Sequence, residues 1–68
     1  MWISNDIVLS EFIQVGDVIY HDGLFVQIRS VTFGEDEWMK LTGIEQEWEE
    51  SVEFSIKENE VKELFIWE

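Results

Sequence analysis

Apolar side chains recur at every second position over most of this chain, and short polar or glycine-bearing breaks separate the runs. A period of two is the mark of strands that bury one face. The clearest unit is Gly16-Asp17-Val18-Ile19-Tyr20-His21-Asp22-Gly23-Leu24-Phe25-Val26-Gln27-Ile28, in which Asp-Gly joins two β-rich runs. Asp-Gly favours a two-residue turn with positive φ, so a hairpin is predicted there. A first strand is predicted from Trp2-Ile3 to Ile7-Val8-Leu9, broken at Ser4-Asn5-Asp6, followed by a helical turn at residues 10–13. Further strands are predicted over residues 17–21, 24–33, 38–44, 51–57 and 61–67.

Phase adds detail to this outline. Leu24, Val26 and Ile28 occupy even positions, whereas Val31 and Phe33 occupy odd ones. Side chains alternate strictly, so the slip predicts a bulge or bend near Arg29-Ser30. Gly43 inside its run suggests a second bulge. With Met39 and Leu41 facing inward, a register setting Leu41 opposite Phe54 and Met39 opposite Ile56 is expected. The last run has Leu64 and Ile66 on one face, Phe65 and Trp67 on the other, which fits a strand sandwiched in the fold or forming an oligomer contact. Nothing predicts a long helix. The expectation is an all-β protein, one small barrel of five to six antiparallel strands over residues 1–68.

Composition sharpens the picture at two points. Ten aromatics, each able to bury roughly 150–250 Å², make a core feasible in only 68 residues. Sixteen acids stand against four bases, Arg29, Lys40, Lys57 and Lys62, for a net charge of −12. Residues 1–34 carry −3 and residues 35–68 carry −9. Such a field repels nucleic acid and anionic membranes and attracts basic partners. Disordered acidic chains lack aromatic and β-branched residues, and this chain is rich in both. No apolar run approaches the ~20 residues of a membrane span, and no leader pattern opens the chain. A cytoplasmic protein is expected.

The chemistry-bearing stretch is Ile44-Glu45-Gln46-Glu47-Trp48-Glu49-Glu50-Ser51-Val52-Glu53-Phe54-Ser55-Ile56. If extended, it sets Ile44, Trp48, Val52, Phe54 and Ile56 on one side and Glu45, Glu47, Glu49 and Glu53 on the other. Glu50 adds charge beside them, and Glu35-Asp36-Glu37 forms an acidic turn nearby. Alternate strand residues lie roughly 6.8 Å apart, two rises of about 3.4 Å, whereas each DNA strand carries one charge per ~3.4 Å. One acidic strand edge therefore has half the linear charge density of a phosphate backbone. The plainer alternative is a solvated face that keeps a small barrel soluble and blocks edge-to-edge pairing. Trp38 is expected to point outward beside the acidic turn, as an anchor residue would, the plainer alternative being that it lies over a neighbouring strand or covers the barrel mouth; Trp48 fits the apolar parity and is expected in the core, although residues 45–50 connect two strands.

Other constellations favour bland roles. His21 has no second histidine and no cysteine, so it lacks the partners of a metal site. Asp17 and Asp22 are accounted for by the hairpin, and no nucleophile accompanies them. Glu35-Asp36-Glu37 lacks the spaced ligands and glycine of a calcium loop. Four scattered bases make no nucleic-acid footprint. Neither enzyme activity nor a cofactor or metal is expected.

The segment from Val15 to Phe33, with its Gly-Asp entry and Asp-Gly hairpin, resembles the opening of SH3-like small barrels. The signalling branch of that family opens on Ala-Leu-Tyr-Asp-Tyr, which is missing. The translation-factor branch is basic where it meets RNA, and this chain is acidic. In its length and its acidic, tryptophan-rich composition the chain is similar to small accessory proteins of bacteriophages. That resemblance implies an inhibitor in the host cytoplasm that presents a DNA-mimicking carboxylate surface to a basic, nucleic-acid-binding protein. Glu35, Asp36, Glu37, Glu45, Glu47, Glu49, Glu50 and Glu53 would supply the charge and Trp38 the anchor. The alternative is a structural or virion-associated barrel that self-associates, as a homodimer for instance, through its C-terminal strand.

Overall fold

The computed structural model describes every residue from Met1 to Glu68. Asp22 (φ 49°) and Gly23 (φ 84°) both lie in the left-handed region, as a two-residue turn between right-twisted strands requires. This turn joins β2 (Val18–His21) to β3 (Leu24–Phe33), pairing His21 with Leu24 and Ile19 with Val26. The other strands are β1 (Trp2–Leu9), β4 (Trp38–Glu45), β5 (Ser51–Lys57) and β6 (Val61–Trp67). One turn of 3-10 helix, Ser10–Phe12, follows β1. All pairings are antiparallel, and a single sheet runs in the order β1-β6-β2-β3-β4-β5. Strands β2 to β5 form a meander, β6 returns to lie beside β2, and β1 is added outside β6.

The sheet coils strongly. His21 on β2 and Phe54 on β5 are three strands apart, about 14 Å in a flat sheet, yet their rings stack at 3.9 Å. Coiling lets one sheet enclose a core of Ile13, Ile19, Val26, Ile28, Met39, Leu41 and Ile56. The ladder nevertheless stays open, because β1 and β5 do not pair, so the expected barrel is not closed by hydrogen bonds. The chain leaves β1 directly into the 3-10 turn, and that turn contacts the end of β5 and the turn that follows it. The Ser10 amide donates to the Glu60 carbonyl (2.8 Å), and the fully buried Ser10 hydroxyl donates to the Lys57 carbonyl and accepts from the Glu60 amide.

Registers Leu41–Phe54 and Met39–Ile56 are as expected. The predicted slip in β3 is a bulge with Arg29 as the extra residue, between the pairs Ile28–Gly43 and Ser30–Thr42. The predicted break at residues 4–6 is milder: β1 runs through with Asn5 bulged out. Gly43 does not mark a bulge in its own strand, since the β4–β5 register passes through it without a shift. A Cβ there would lie 2.4 Å from the Gln27 carbonyl oxygen and 2.6 Å from a Val26 methyl, so β3 simply comes too close for a side chain. Strand β6 lies between β1, which pairs with all of its residues, and β2, which pairs with Leu64 and Phe65.

Candidate interaction surface

Glu45 is the end of a core-facing row. Alternation from Met39 through Leu41 and Gly43 brings its side chain inward, and it is only 2% exposed. Its Oε1 accepts from the amides of Trp48 (2.8 Å) and Glu50 (3.1 Å), and its Oε2 accepts from the Glu47 amide (3.0 Å). Burial pushes the carboxyl pKa up, but the amides of Glu50, Glu47 and Trp48 together outweigh it and hold the group below its ordinary value. Glu45 therefore organises the β4–β5 turn and is not available to a partner. This corrects its placement among the surface carboxylates.

The Glu45 bonds also explain why residues 44–56 are not one extended run. Residues 46–48 form a turn held by that carboxylate, and the Gln46 amide bonds the Phe25 carbonyl (2.8 Å). A turn residue has no strand parity, so Trp48 is not in the core but 72% exposed, amid Glu47, Glu49 and Glu50. The second acidic group, residues 35–37, lies at the other end of β4, with Asp36 and Glu37 at positive φ. Trp38 beside it is 46% exposed, pointing outward as expected, and Lys57 Nζ sits 4.8 Å from its ring centre. The β3–β4 turn is tied to the start of the β5–β6 turn, since the Glu58 amide donates to the Glu37 carbonyl (2.8 Å) and Lys57 Nζ to the Asp36 carbonyl (3.2 Å).

The expected acidic residues thus fall into two groups and one isolated member. The 35–37 turn and the 47–50 turn lie at opposite ends of an eight-residue strand, about 24 Å apart at 3.4 Å per residue. Each holds one exposed tryptophan. Glu53 lies between them on β5 and pairs with Lys40 at 2.9 Å, both side chains more than half exposed. Such an exposed pair contributes little, about 0–1 kcal/mol. It is the single salt bridge in the molecule.

Sequence reasoning passed over a third feature. Trp2, Tyr20, Phe25, Phe65 and Trp67 gather on the face of β1, β6, β2 and β3 that points away from the core. Trp2 stacks on Phe25 (5.2 Å, 16°), and Trp67, Tyr20 and Phe65 meet that pair edge-on. Part of the signal was legible, since the Asp22-Gly23 hairpin sets Tyr20 opposite Phe25, but Trp2 faces Trp67 across non-sequential strands, whose register is not legible in sequence.

His21 stacks on Phe54 and takes part in packing. No three His, Cys, Asp or Glu side chains converge as a metal site, and no helix is long and apolar enough to cross a membrane. No family model matches the chain, and neither curated proteins nor solved structures give a match.

Proposed function

We propose that this chain is an acidic interaction protein that occupies, and inhibits, the nucleic-acid-binding surface of a basic protein. The carrying observation is the excess of unpaired surface charge: twelve of sixteen carboxylates are exposed, and a single salt bridge relieves them. Twelve exposed carboxylates along a 35 Å long axis amount to about one per 2.9 Å, between the ~3.4 Å spacing of charges on one DNA strand and the ~1.7 Å of the duplex. Like charges at this density cost stability, which solubility alone does not require. The two acidic turns with their tryptophans give the surface anchors at both ends. Glu35, Asp36, Glu37, Glu47, Glu49 and Glu50 carry the interaction, with Glu53 between them, Trp38 and Trp48 as anchors, and Glu45 behind the second turn as its support.

The meander of β2 to β5 with β6 returned to β2 supports the likeness to SH3-like barrels. The acidic, tryptophan-rich composition supports a bacteriophage-type inhibitor acting in the host cytoplasm. Self-association through the last strand is the competing reading. The exposure of Trp67 favours it, whereas β1 covers one whole edge of β6 and β2 part of the other, and a second copy brings another −12 of charge.

The test is capture from bacterial lysate over a salt series, comparing wild type with a variant carrying Glu35→Gln, Asp36→Asn, Glu37→Gln, Glu47→Gln, Glu49→Gln and Glu50→Gln. The expected result is a nucleic-acid-binding protein that is retained at low salt, released at high salt and lost with the variant. Equal capture by both proteins at every salt concentration overturns the proposal.

A further inference from the structure

The five outer-face aromatics form a continuous surface. One groove of about 440 Å³ runs between Trp2, Tyr20, Phe25 and Trp67, and a second of about 360 Å³ lies between Tyr20, Phe65, Ile7 and Val61. Tyr20 lines both, so its ring stands between them. Trp67 is 67% and Tyr20 53% exposed, whereas Trp2, Phe25 and Phe65 are half-buried beneath them. The first groove has a carboxylate in its wall, Glu47; in the second, Glu63 accepts from the Ser4 hydroxyl (2.7 Å) and stands beside Lys62, so the first groove is the better fit for a cation. An aromatic face of this size turned to water on a small domain marks a binding surface.

We infer that this face seats an arginine-rich segment of a partner protein. The inference deepens the proposed function and rests on it, because it names the chemistry the basic partner brings to this surface. Guanidinium groups fit on three counts. They are planar and weakly hydrated, so they stack on tryptophan and tyrosine faces where the more strongly hydrated ammonium of lysine does so less well. They pair in bidentate fashion with a carboxylate such as Glu47 at the groove wall. Their charge is opposite to the −12 of the whole molecule, which draws them to the face. Charge argues against the other occupants: a second copy meets its own sign, and nucleic-acid bases, which also stack on aromatics, arrive with phosphates.

The protein carries its own reporters. Of its four tryptophans, Trp2 and Trp67 belong to the aromatic face, and Trp38 and Trp48 to the acidic turns. The experiment follows the four indole N–H resonances while a synthetic arginine-rich peptide is titrated at low salt, with a lysine peptide of equal charge as comparison. The expected result is saturable shifts at Trp2 and Trp67, with binding about tenfold weaker for Tyr20→Ser and for Trp67→Ser, and also weaker for the lysine peptide. Both residues are more than half exposed, and unchanged core amide shifts verify that the variants fold.

Shifts confined to Trp38 and Trp48, with Tyr20→Ser binding as wild type, overturn this inference and leave the acidic-surface proposal standing. Equal affinity for the lysine peptide overturns the arginine assignment. Shifts at Trp2 and Trp67 that follow protein concentration without peptide assign the face to a second copy and overturn it as well. No response from any indole at low salt overturns this inference, while the acidic-surface proposal falls only on the capture result given for it.

Discussion

A carboxylate at the end of a core-facing row must be protonated or hydrogen-bonded, and Glu45 is bonded by three amides. Those bonds depress its pKa in the folded chain, whereas in the unfolded chain it titrates at its ordinary value of 4.5. The unfolded state therefore takes up the proton first as pH falls. Glu45 contributes its full stabilisation above the ordinary value, and loses it as pH drops through the lower, folded value. Glu45→Gln keeps one acceptor oxygen and removes the charge. In urea titrations the wild type should exceed this variant in stability by a constant margin near neutral pH, and the margin should shrink as the solution becomes more acid. A margin independent of pH would show that the charge of Glu45 is irrelevant to the turn. The placement was legible in principle. Counting by two from Met39 and Leu41 lands on Glu45, but the run 44–56 reads equally well with Ile44 inward, and that phase put Glu45 outside. Trp48 was half legible: residues 45–50 fall between two predicted strands, where side-chain parity has no meaning, but its exposure follows from the turn that the buried Glu45 organises.

Among the elements, strands were the most readable part of the chain. A period of two, a turn at Asp22-Gly23 and a phase slip at Arg29 are each local consequences of backbone geometry, so they appear in the order of residues. Gly43 was located but misread: glycine in a strand means either an extra residue or a close neighbour, and only the packing of β3 decides between them. Gly43→Ala should destabilise the fold by about 1–3 kcal/mol, since the obstructing atoms include the Gln27 backbone, which is anchored in the ladder. An unchanged urea midpoint would refute that close approach. The open edges were likewise beyond sequence, because pairing between β1 and β6 joins the two ends of the chain. Both edges carry protection against strand addition. Strand β1 has the Asn5 bulge followed by Asp6, and β5 presents Glu53 and Lys57.

For the whole molecule, charge governs both stability and the proposed role. Net −12 is plain in composition, and the division of the candidate carboxylates into two turns about 24 Å apart is plain only in three dimensions. The aromatic face is likewise a product of topology: Phe25 and Phe65 meet because β2 lies between β3 and β6, a neighbourhood set by the return of the last strand. Self-repulsion in the free protein should be screened by salt over a Debye length of ~8–10 Å, so the melting temperature should rise with sodium chloride. A melting temperature that falls with salt would mean that attractive pairs outweigh repulsion, contrary to the single salt bridge seen.

The central claim is that this surface takes the place of a nucleic-acid backbone. Its most direct test is the affinity of the captured partner for a labelled DNA duplex, measured at fixed salt with increasing amounts of this protein. The account predicts mutually exclusive binding: duplex is displaced completely, the apparent affinity falls in proportion to added protein, and the six-carboxylate variant displaces none. A ternary complex, with duplex affinity unchanged at saturating protein, would contradict it.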